Sequence, residues 1–409
     1  MGVTMRRSTR WSGGASWRMR TAGAVGAMAL AAAVASCSGA PAAPIRTVMG
    51  GPRPDGSVES FARVMTFPQL PTASVPRSTA AELDAVLTSS VEHGFPAVMA
   101  AVIEADGLWS GAAGADGPEG RPAAVHDEFA MGGITRLFTA ALVMRLAERG
   151  ELQLDDPLSS YLPDDIDSNG ATVLQALQMR SGLPDGSPSS GAKPTADPSR
   201  PWTRAELTAE FPEPAVPAGR EYIHSDPTYT MLGLAVETVT GLPLAEAIRT
   251  SLLDPAGSSS SLLLQGTATP TPRPWALPIS GTDEPIATFG AGAALPNLAE
   301  ATSSPGASGM AGTAPDLAEW AWQLFAGKIV SLSSVDRLIA LDDAGTGSGL
   351  DDLTDHGLPG AYGHIGSMDG YQSLLAVFPG DQTVIVVFAT QRDAAVEAVA
   401  ADLEDALGP

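Results

Sequence analysis

Hydrophobic positions recur along this chain with two different spacings, and their order predicts the fold class. Apolar residues every three or four positions predict helices over 81–93, 134–150, 228–240, 316–325 and 392–407. Short apolar runs predict strands over 98–104, 107–113, 372–378 and 383–390. Strands near both ends with helices between them favour an α+β fold, with one antiparallel sheet assembled from the two termini.

The first 36 residues have the composition of an export signal. They contain five arginines and no acidic residue, and an apolar run over 22–35 is too short and too rich in alanine to favour a membrane span. Cys37 follows immediately, within VASCSG, and this motif resembles the lipobox of bacterial lipoproteins. The resemblance implies cleavage before Cys37, a lipid on its sulfur, and a location on the outer face of the bacterial cell membrane. The alternative is a secreted protein with an incidental cysteine.

The composition predicts one folded domain behind a linker. Residues 37–78 are rich in proline, alanine and serine and indicate a flexible linker, so the folded domain is expected over 79–409. With 44% hydrophobic and 17% charged residues, the chain has enough apolar material for a large core. A single cysteine excludes a disulfide framework and a cysteine-rich zinc site.

The charge balance excludes one class of partner. The formal net charge is −23, and without the five arginines of the signal segment 18 basic residues face 46 acidic ones, which gives −28. Phosphate backbones repel such a body, so we expect no nucleic-acid partner. Anionic lipid headgroups repel it as well, which favours a protein tethered to a membrane over one that lies flat on it.

Seven short segments together carry a family resemblance. They are FAMGGITRLFTA (129–140), LDDPL (154–158), YLP (161–163), LQMRSGLP (177–184), LGLAVE (232–237), GHIG (363–366) and GYQS (370–373). In this order and spacing they resemble the serine β-lactamase/penicillin-binding family, in the branch of class C β-lactamases, D-alanyl-D-alanine carboxypeptidases and related esterases. The resemblance covers roughly 80–409. It implies a β-lactamase/transpeptidase-like fold, with an antiparallel sheet flanked by helices and an all-helical lobe.

The family's first catalytic motif is degenerate in this chain. The family uses S-x-x-K at a helix start, where the serine attacks a carbonyl carbon and the lysine handles its proton. The resemblance puts the serine position on Gly133 and the lysine position on Arg136. Glycine has no nucleophile, and an arginine is not deprotonated in proteins. We therefore expect the covalent mechanism to be lost.

No other segment supplies the missing S-x-x-K motif. The chain has two lysines, Lys193 and Lys328. Ser190 lies three residues before Lys193, but in a loop sequence rich in proline and serine that cannot hold helical spacing. Phe325 stands three residues before Lys328, so that site fails outright.

The second motif is altered and the third is retained. The Y-x-N position falls on His224, Ser225 and Asp226, whereas the H-x-G form of the third motif is present as His364 to Gly366. The family's lysine and asparagine approach each other, so Arg136 and Asp226 are expected to form a bidentate salt bridge. Our hypothesis is that this ion pair fills the former catalytic centre.

The resemblance also implies a ligand site. It assigns the oxyanion-hole donors to the backbone N–H groups of Gly133 and Ser367, and it brings Ser225 and Gly366 to the pocket as ligand-binding positions. Backbone donors survive the loss of the serine side chain.

The sequence thus predicts a lipid-anchored envelope protein without acylating activity. It would bind a peptide, a peptidoglycan fragment or a protein partner, and it needs no cofactor and no metal. Two alternatives stay open: a hydrolase of the β-lactamase, carboxypeptidase or esterase type that uses a different residue, and a metal-dependent hydrolase built on His224, Asp226 and His364.

Overall fold

The chain is represented by a computed structural model, which describes residues 67–116, 120–186, 200–258, 262–264, 298–342, 345–368 and 370–408. All of them lie in the unit that spans Asp55–Pro409. The predicted signal peptide 1–36, Cys37 and most of the predicted linker lie outside the described residues. The predictions made for them therefore remain predictions from sequence.

The main sheet is antiparallel and joins the two ends of the described chain. The strands in chain order are β1 (Ala97–Glu104), β2 (Gly107–Asp116), β3 (Arg121–Pro122), β4 (Phe129–Ala130), β5 (Leu263–Leu264), β6 (Met310–Gly312), β7 (Asp351–Asp352), β8 (Tyr362–Met368), β9 (Tyr371–Phe378) and β10 (Thr383–Ala389). Seven of these described strands form one sheet in the order β3-β2-β1-β10-β9-β8-β7. Strand β10 pairs with β1, so the predicted assembly of the sheet from both termini is confirmed.

Helices cover both faces of the sheet and also occupy the chain segment between its N-terminal and its C-terminal strands. They are α1 (Arg77–Glu92), α2 (Thr135–Glu148), α3 (Val173–Leu177), α4 (Arg204–Ala209), α5 (Asp226–Thr240), α6 (Leu244–Ile248), α7 (Asp254–Ala256), α8 (Leu298–Ala301), α9 (Ala314–Phe325), α10 (Leu332–Leu338) and α11 (Val396–Leu407). Helices α2, α3, α5 and α6 pack on one another and form the predicted helical lobe. Among the described residues, no single helix is long and apolar enough to cross a membrane.

Strand β1 shows why the sheet is a buried central layer. Met99 and Ile103 face one hydrophobic core, with α9 and the helical lobe, whereas Val98 and Val102 face a second core that α1 and α11 close. Side chains alternate between the faces of a strand, so both faces must be apolar when both are covered. This explains why the sequence of β1 reads as a continuous apolar run rather than an alternating one.

The folded domain begins earlier than residue 79. Phe67 is 2% exposed and its ring packs edge-on against Trp322 at 4.7 Å between centroids. The indole N–H of Trp322 donates a hydrogen bond of 3.0 Å to the carbonyl oxygen of Pro68, and Ser74 bridges to Leu108 of β2. The predicted linker boundary at 78 was therefore wrong, because residues 67–78 hold apolar side chains that the domain buries.

Helix boundaries differ from the sequence prediction by a few residues. Helix α5 begins at Asp226 rather than 228, and α11 begins at Val396 rather than 392. Hydrophobic spacing detects the buried face of a helix, whereas the first turn is fixed by its cap. For α5 that cap is Ser225, whose side chain accepts a hydrogen bond from the N–H of Thr228.

Removal of the Phe67 ring tests whether the segment before α1 belongs to the domain. We expect Phe67→Ala to lower the free energy of unfolding by about 3–5 kcal/mol, because it leaves a cavity against Trp322 and Phe325. Gln69→Ala is the matched control, since Gln69 is exposed and its truncation should change stability by no more than about 0.5 kcal/mol. Equal urea denaturation midpoints for the two variants would contradict this boundary.

Candidate functional site

A cavity of about 430 Å³ opens between β8 and the starts of helices α2 and α5. Its wall contains most of the side chains that the sequence predicted for the site: Gly133, Arg136, His224, Asp226, His364 and Ser367. These positions are up to 234 residues apart in the sequence numbering, from Gly133 to Ser367, and only the pairing of strands near the two chain ends brings them together.

The start of α2 lies directly against β8. Gly132 has φ of +50°, and a Cβ there would lie 2.7 Å from the backbone nitrogen of Ser367. Only glycine tolerates both conditions without strain. Thr135 fixes the same turn, because its hydroxyl donates to the carbonyl oxygen of Gly132 at 2.7 Å and accepts from the N–H of Met310 at 3.0 Å. The backbone of Gly133 is thereby held beside Ser367.

The backbone N–H of Ser367 points away from the neighbouring strand. Two residues separate Met368 from Tyr371 in the β8–β9 hairpin, so that pair is the hydrogen-bonded one and Ser367 with Gln372 is the next, non-hydrogen-bonded pair. The N–H of Gly133 lies in the first turn of its helix, where no intrahelical acceptor exists. Gly133 and Ser367 both line the cavity, so their N–H groups are the candidate donors of an oxyanion hole.

The space beside Gly133 is taken by an imidazole ring. A Cβ at position 133 would lie 2.7 Å from Cε1 of His364, closer than side-chain carbon atoms normally approach. A serine at this position would require His364 to move. The absence of a side chain at position 133 therefore leaves the room that the His364 ring occupies.

Arg136 is the centre of the site's hydrogen-bond network. Its side chain is 9% exposed, and Nη2 donates to Oδ1 of Asp226 at 2.5 Å and to Nε2 of His224 at 2.6 Å. Its Nη1 donates to Nε2 of His364 at 2.7 Å. The ion pair predicted from the sequence is present, but it is not bidentate, because Asp226 accepts only from Nη2 while the two histidines accept from Nη2 and Nη1.

The guanidinium fixes the protonation of both histidines. Arginine can only donate, so Nε2 of His224 and of His364 must accept and the proton must sit on Nδ1. In His364 that Nδ1–H donates to the carbonyl oxygen of Ile365 at 2.6 Å. Burial, together with the charge of Arg136, lowers the pKa of His364 to about 3. The pKa of His224, whose side chain is 46% exposed, is lowered by partial desolvation and by the same charge. Both rings are neutral at neutral pH.

Two of the predicted ligand-binding positions have structural roles. Ser225 is fully buried and caps α5, with its hydroxyl accepting from the N–H and the hydroxyl of Thr228. A hydroxyl that caps a helix turns back onto the helix, so it does not face the cavity. Gly366 is needed for close packing, because a Cβ there would collide with the carbonyl oxygen of Met131. Neither residue lines the cavity, so their contact with a ligand stays a prediction from the sequence.

The structure adds groups that the sequence motifs did not indicate. Asp351, Tyr222, Glu300 and His356 also line the cavity. Burial raises the pKa of Asp351, whose Oδ2 lies 3.8 Å from Nε2 of His364, and burial also raises the pKa of Tyr222. Tyr222 precedes the His224 motif by two residues, which was a usable signal. Asp351 lies on the short edge strand β7, outside every motif.

The residues of the alternative zinc site do converge, but on a positive charge. His224, Asp226 and His364 all accept hydrogen bonds from the Arg136 guanidinium. Asp185, His224 and Asp226 also have ligand atoms within 4.8 Å of one another. In both sets Asp226 already neutralises Arg136, so a metal ion would need to displace the guanidinium or lie beside it. This donor chemistry disfavours a divalent cation.

The neutral His364 predicts a specific pH dependence of stability. Its pKa is about 3 in the folded chain and 6.5 in the unfolded chain, so only the unfolded chain binds the proton between these values. Its contribution is complete above pH 6.5 and is lost on acidification by up to about 1.4 kcal/mol per pH unit. We expect His364→Gln, which cannot be protonated, to flatten the dependence of unfolding free energy on pH between 6.5 and about 5.

A buried substitution elsewhere provides the control for this titration. Val377→Ala, on the neighbouring strand β9, should lower stability at every pH and leave the slope unchanged. Urea unfolding at several pH values measures both slopes. If the wild type and His364→Gln have the same slope, His364 is not held neutral.

Solved structures with the same fold include an amidase and an amidohydrolase. The D-amino acid amidase of Ochrobactrum anthropi SV3, complexed with L-phenylalanine, superposes with a TM-score of 0.67 at 17% identity and covers 80% of this chain and 98% of that one. A D-stereospecific amidohydrolase from a Streptomyces species gives 0.64 at 24% identity, with the same coverage. These likenesses confirm the predicted β-lactamase/transpeptidase-like fold.

Sequence relatives agree with the fold. PbpX of Bacillus subtilis (strain 168), named as a candidate penicillin-binding protein, is 24% identical over 261 residues, which are 64% of this chain and 61% of PbpX. The chain therefore matches less than two thirds of the length of this relative. The Beta-lactamase family model matches residues 77–408. Together with the site geometry, this match means that the chain belongs to the Beta-lactamase family.

Proposed function

We propose that this protein is a catalytically inactive member of the family, anchored by a lipid in the cell envelope, and that it binds a cell-wall fragment, a peptide or a protein partner without acylation. The observation that carries the proposal is the Arg136 guanidinium, bound to Asp226, His224 and His364 beside a glycine in the nucleophile position.

Covalent catalysis lacks both of its chemical groups at this site. Gly133 offers no atom that could attack a carbonyl carbon. Arg136 cannot take up a proton, and its guanidinium already donates a hydrogen bond to Asp226. Loss of one member of such a catalytic set costs on the order of 10⁴–10⁶ in rate. Two losses at once leave no physical basis for an acyl-enzyme.

The features that favour binding do not depend on the lost side chains. The N–H groups of Gly133 and Ser367 are backbone groups, and the cavity around them is open to a small ligand. The amidase that superposes on this chain is described in complex with phenylalanine, and the sequence relative is named for penicillin binding. A peptide or an amino-acid derivative is therefore the ligand class that we favour.

The membrane anchor follows from the sequence around Cys37. A cleaved signal and a diacylglyceryl group on this cysteine supply two acyl chains, each buried methylene of which contributes about 0.8 kcal/mol. Two chains suffice for stable attachment, while the acidic body is repelled by anionic headgroups.

Covalent labelling tests the loss of catalysis. We expect neither the wild type nor Gly133→Ser to be labelled by a fluorescent penicillin or a fluorophosphonate, because a serine without a base, next to His364, is not activated. An intact family hydrolase in the same gel shows that the probes work. A labelled wild-type band would refute the proposal and favour a hydrolase that uses a different residue.

Fractionation tests the anchor separately. In a bacterial host, we expect the full-length protein in the membrane fraction, with incorporation of radiolabelled palmitate. Cys37→Ala should abolish the labelling and release the protein, because only a thiol accepts the diacylglyceryl group. Ser36→Ala changes the neighbouring residue and retains the thiol, so it should remain lipidated. Membrane retention of Cys37→Ala would contradict lipid anchoring.

A further inference from the structure

Acidic side chains outnumber arginine and lysine side chains in the wall of the cavity. Arg136 is the cationic side chain of the cavity wall, and Asp226, Asp351 and Glu300 are its carboxylates. His224 and His364 accept hydrogen bonds from the guanidinium and carry no charge at neutral pH. With His224, His356 and His364 counted as neutral, one positive and three negative formal charges therefore line the space that a ligand would occupy.

Asp226 does not contribute to this excess of negative charge, because it forms an ion pair with Arg136. Its Oδ1 lies 2.5 Å from Nη2, and the pair is largely buried, with 9% and 16% of the two side chains exposed. A ligand anion that approached Arg136 would have to compete with Asp226 for the guanidinium and would meet its repulsion. The positive charge at the former lysine position is thus unavailable to a ligand carboxylate.

Asp351 borders the cavity and, among the described residues, has no ion pair with an arginine or lysine side chain. In the part of the chain that the structure describes, its ion-pair-range contact is Nε2 of His364 at 3.8 Å, and that ring is neutral. The side chain is 37% exposed, and it borders the cavity. The charge of Arg136 and a hydrogen bond from Thr346 stabilise the Asp351 carboxylate in part, but burial still raises its pKa. A carboxylate whose charged form is destabilised by desolvation is stabilised further by a cation that reaches it.

The same cavity offers hydrogen-bond donors on its other side. The N–H groups of Gly133 and Ser367 are directed away from their own helix and strand partners. A ligand that satisfies both sides must combine an acceptor oxygen with a positive charge a short distance away.

We propose that this cavity selects compounds in which a protonated amine stands next to a carbonyl group, namely an amino-acid amide or the free amino terminus of a peptide. The ammonium group lies at Asp351, and the carbonyl oxygen points to the N–H groups of Gly133 and Ser367. This inference rests on the proposed function, since it specifies the ligand of a site that binds without acylation. Ligands with a free carboxylate and no amine are disfavoured by the acidic wall.

Isothermal titration calorimetry with matched probes tests the proposal. The probes are phenylalanine amide, N-acetyl-phenylalanine amide and N-acetyl-phenylalanine, each as the D and the L form, which carry a positive, a zero and a negative charge. We expect the amine to bind at least about tenfold more tightly than its neutral acetylated form in one of the two configurations, and the carboxylate to bind most weakly. Equal binding of the amine and its acetylated form would overturn the proposal, as would tighter binding of the carboxylate or no binding of the amine.

Two variants that each remove one carboxylate charge test whether Asp351 binds the amine. Asp351→Asn keeps the shape and an acceptor oxygen, and it should reduce binding of the amine to the level of the acetylated probe. Asp355→Asn is the matched control, because Asp355 is exposed on the nearby turn, outside the cavity wall, and should leave the preference intact. A thermal melt of both variants reports folding. Unchanged amine binding in a folded Asp351→Asn variant would overturn the assignment to Asp351.

The same samples separate this inference from the proposed function. Release of ammonia or phenylalanine from the amide would refute inactivity, and the preference for the amine could then still be measured as a difference in KM between the probes. A protein that neither labels nor hydrolyses, yet binds the acetylated probe as well as the amine, would retain the proposed function and refute the amine selectivity.

Discussion

The need to neutralise one buried arginine organises this site. A guanidinium stays charged in the protein interior, so Arg136 must be surrounded by acceptors. Three elements supply them: the start of α5 gives Asp226, the loop before it gives His224, and β8 gives His364. These contacts tie the helical lobe to the edge of the sheet. They also fix both imidazole tautomers and keep both rings uncharged.

In this site the backbone donors are present, whereas the catalytic side chains of the family are missing. Sterics hold the backbone, because Gly132 and Gly366 permit a contact between the helix start and β8 that any Cβ would prevent. The N–H groups of Gly133 and Ser367 therefore keep their direction whatever side chains surround them. The chemistry of the family depends on side chains at 133 and 136, and there the chain has a glycine and an arginine. A binding surface can persist where a catalytic centre has been lost.

Much of the fold could be predicted from the sequence, because the buried faces of helices and strands give a regular spacing of apolar residues. The apolar spacing around Leu137 and Phe138 predicted α2, and two short apolar runs predicted the strands β9 and β10. Boundaries were less accurate, because caps such as Ser225 and anchors such as Phe67 are single residues without a period. For the site, the motif order identified Gly133, Arg136, His224, Asp226 and His364, which do meet at one cavity.

The sequence by itself determined that a serine nucleophile and a lysine base are missing, since residue identity settles whether a hydroxyl or an amine exists. It also determined that Arg136 and Asp226 carry opposite charges. Only the tertiary structure decided that two histidines join Asp226 as acceptors for Arg136, that the His364 ring fills the space beside Gly133, and that Asp351 borders the cavity. The reason is that hydrogen-bond partners and desolvation depend on distances between residues far apart in the chain, and no local pattern encodes those distances.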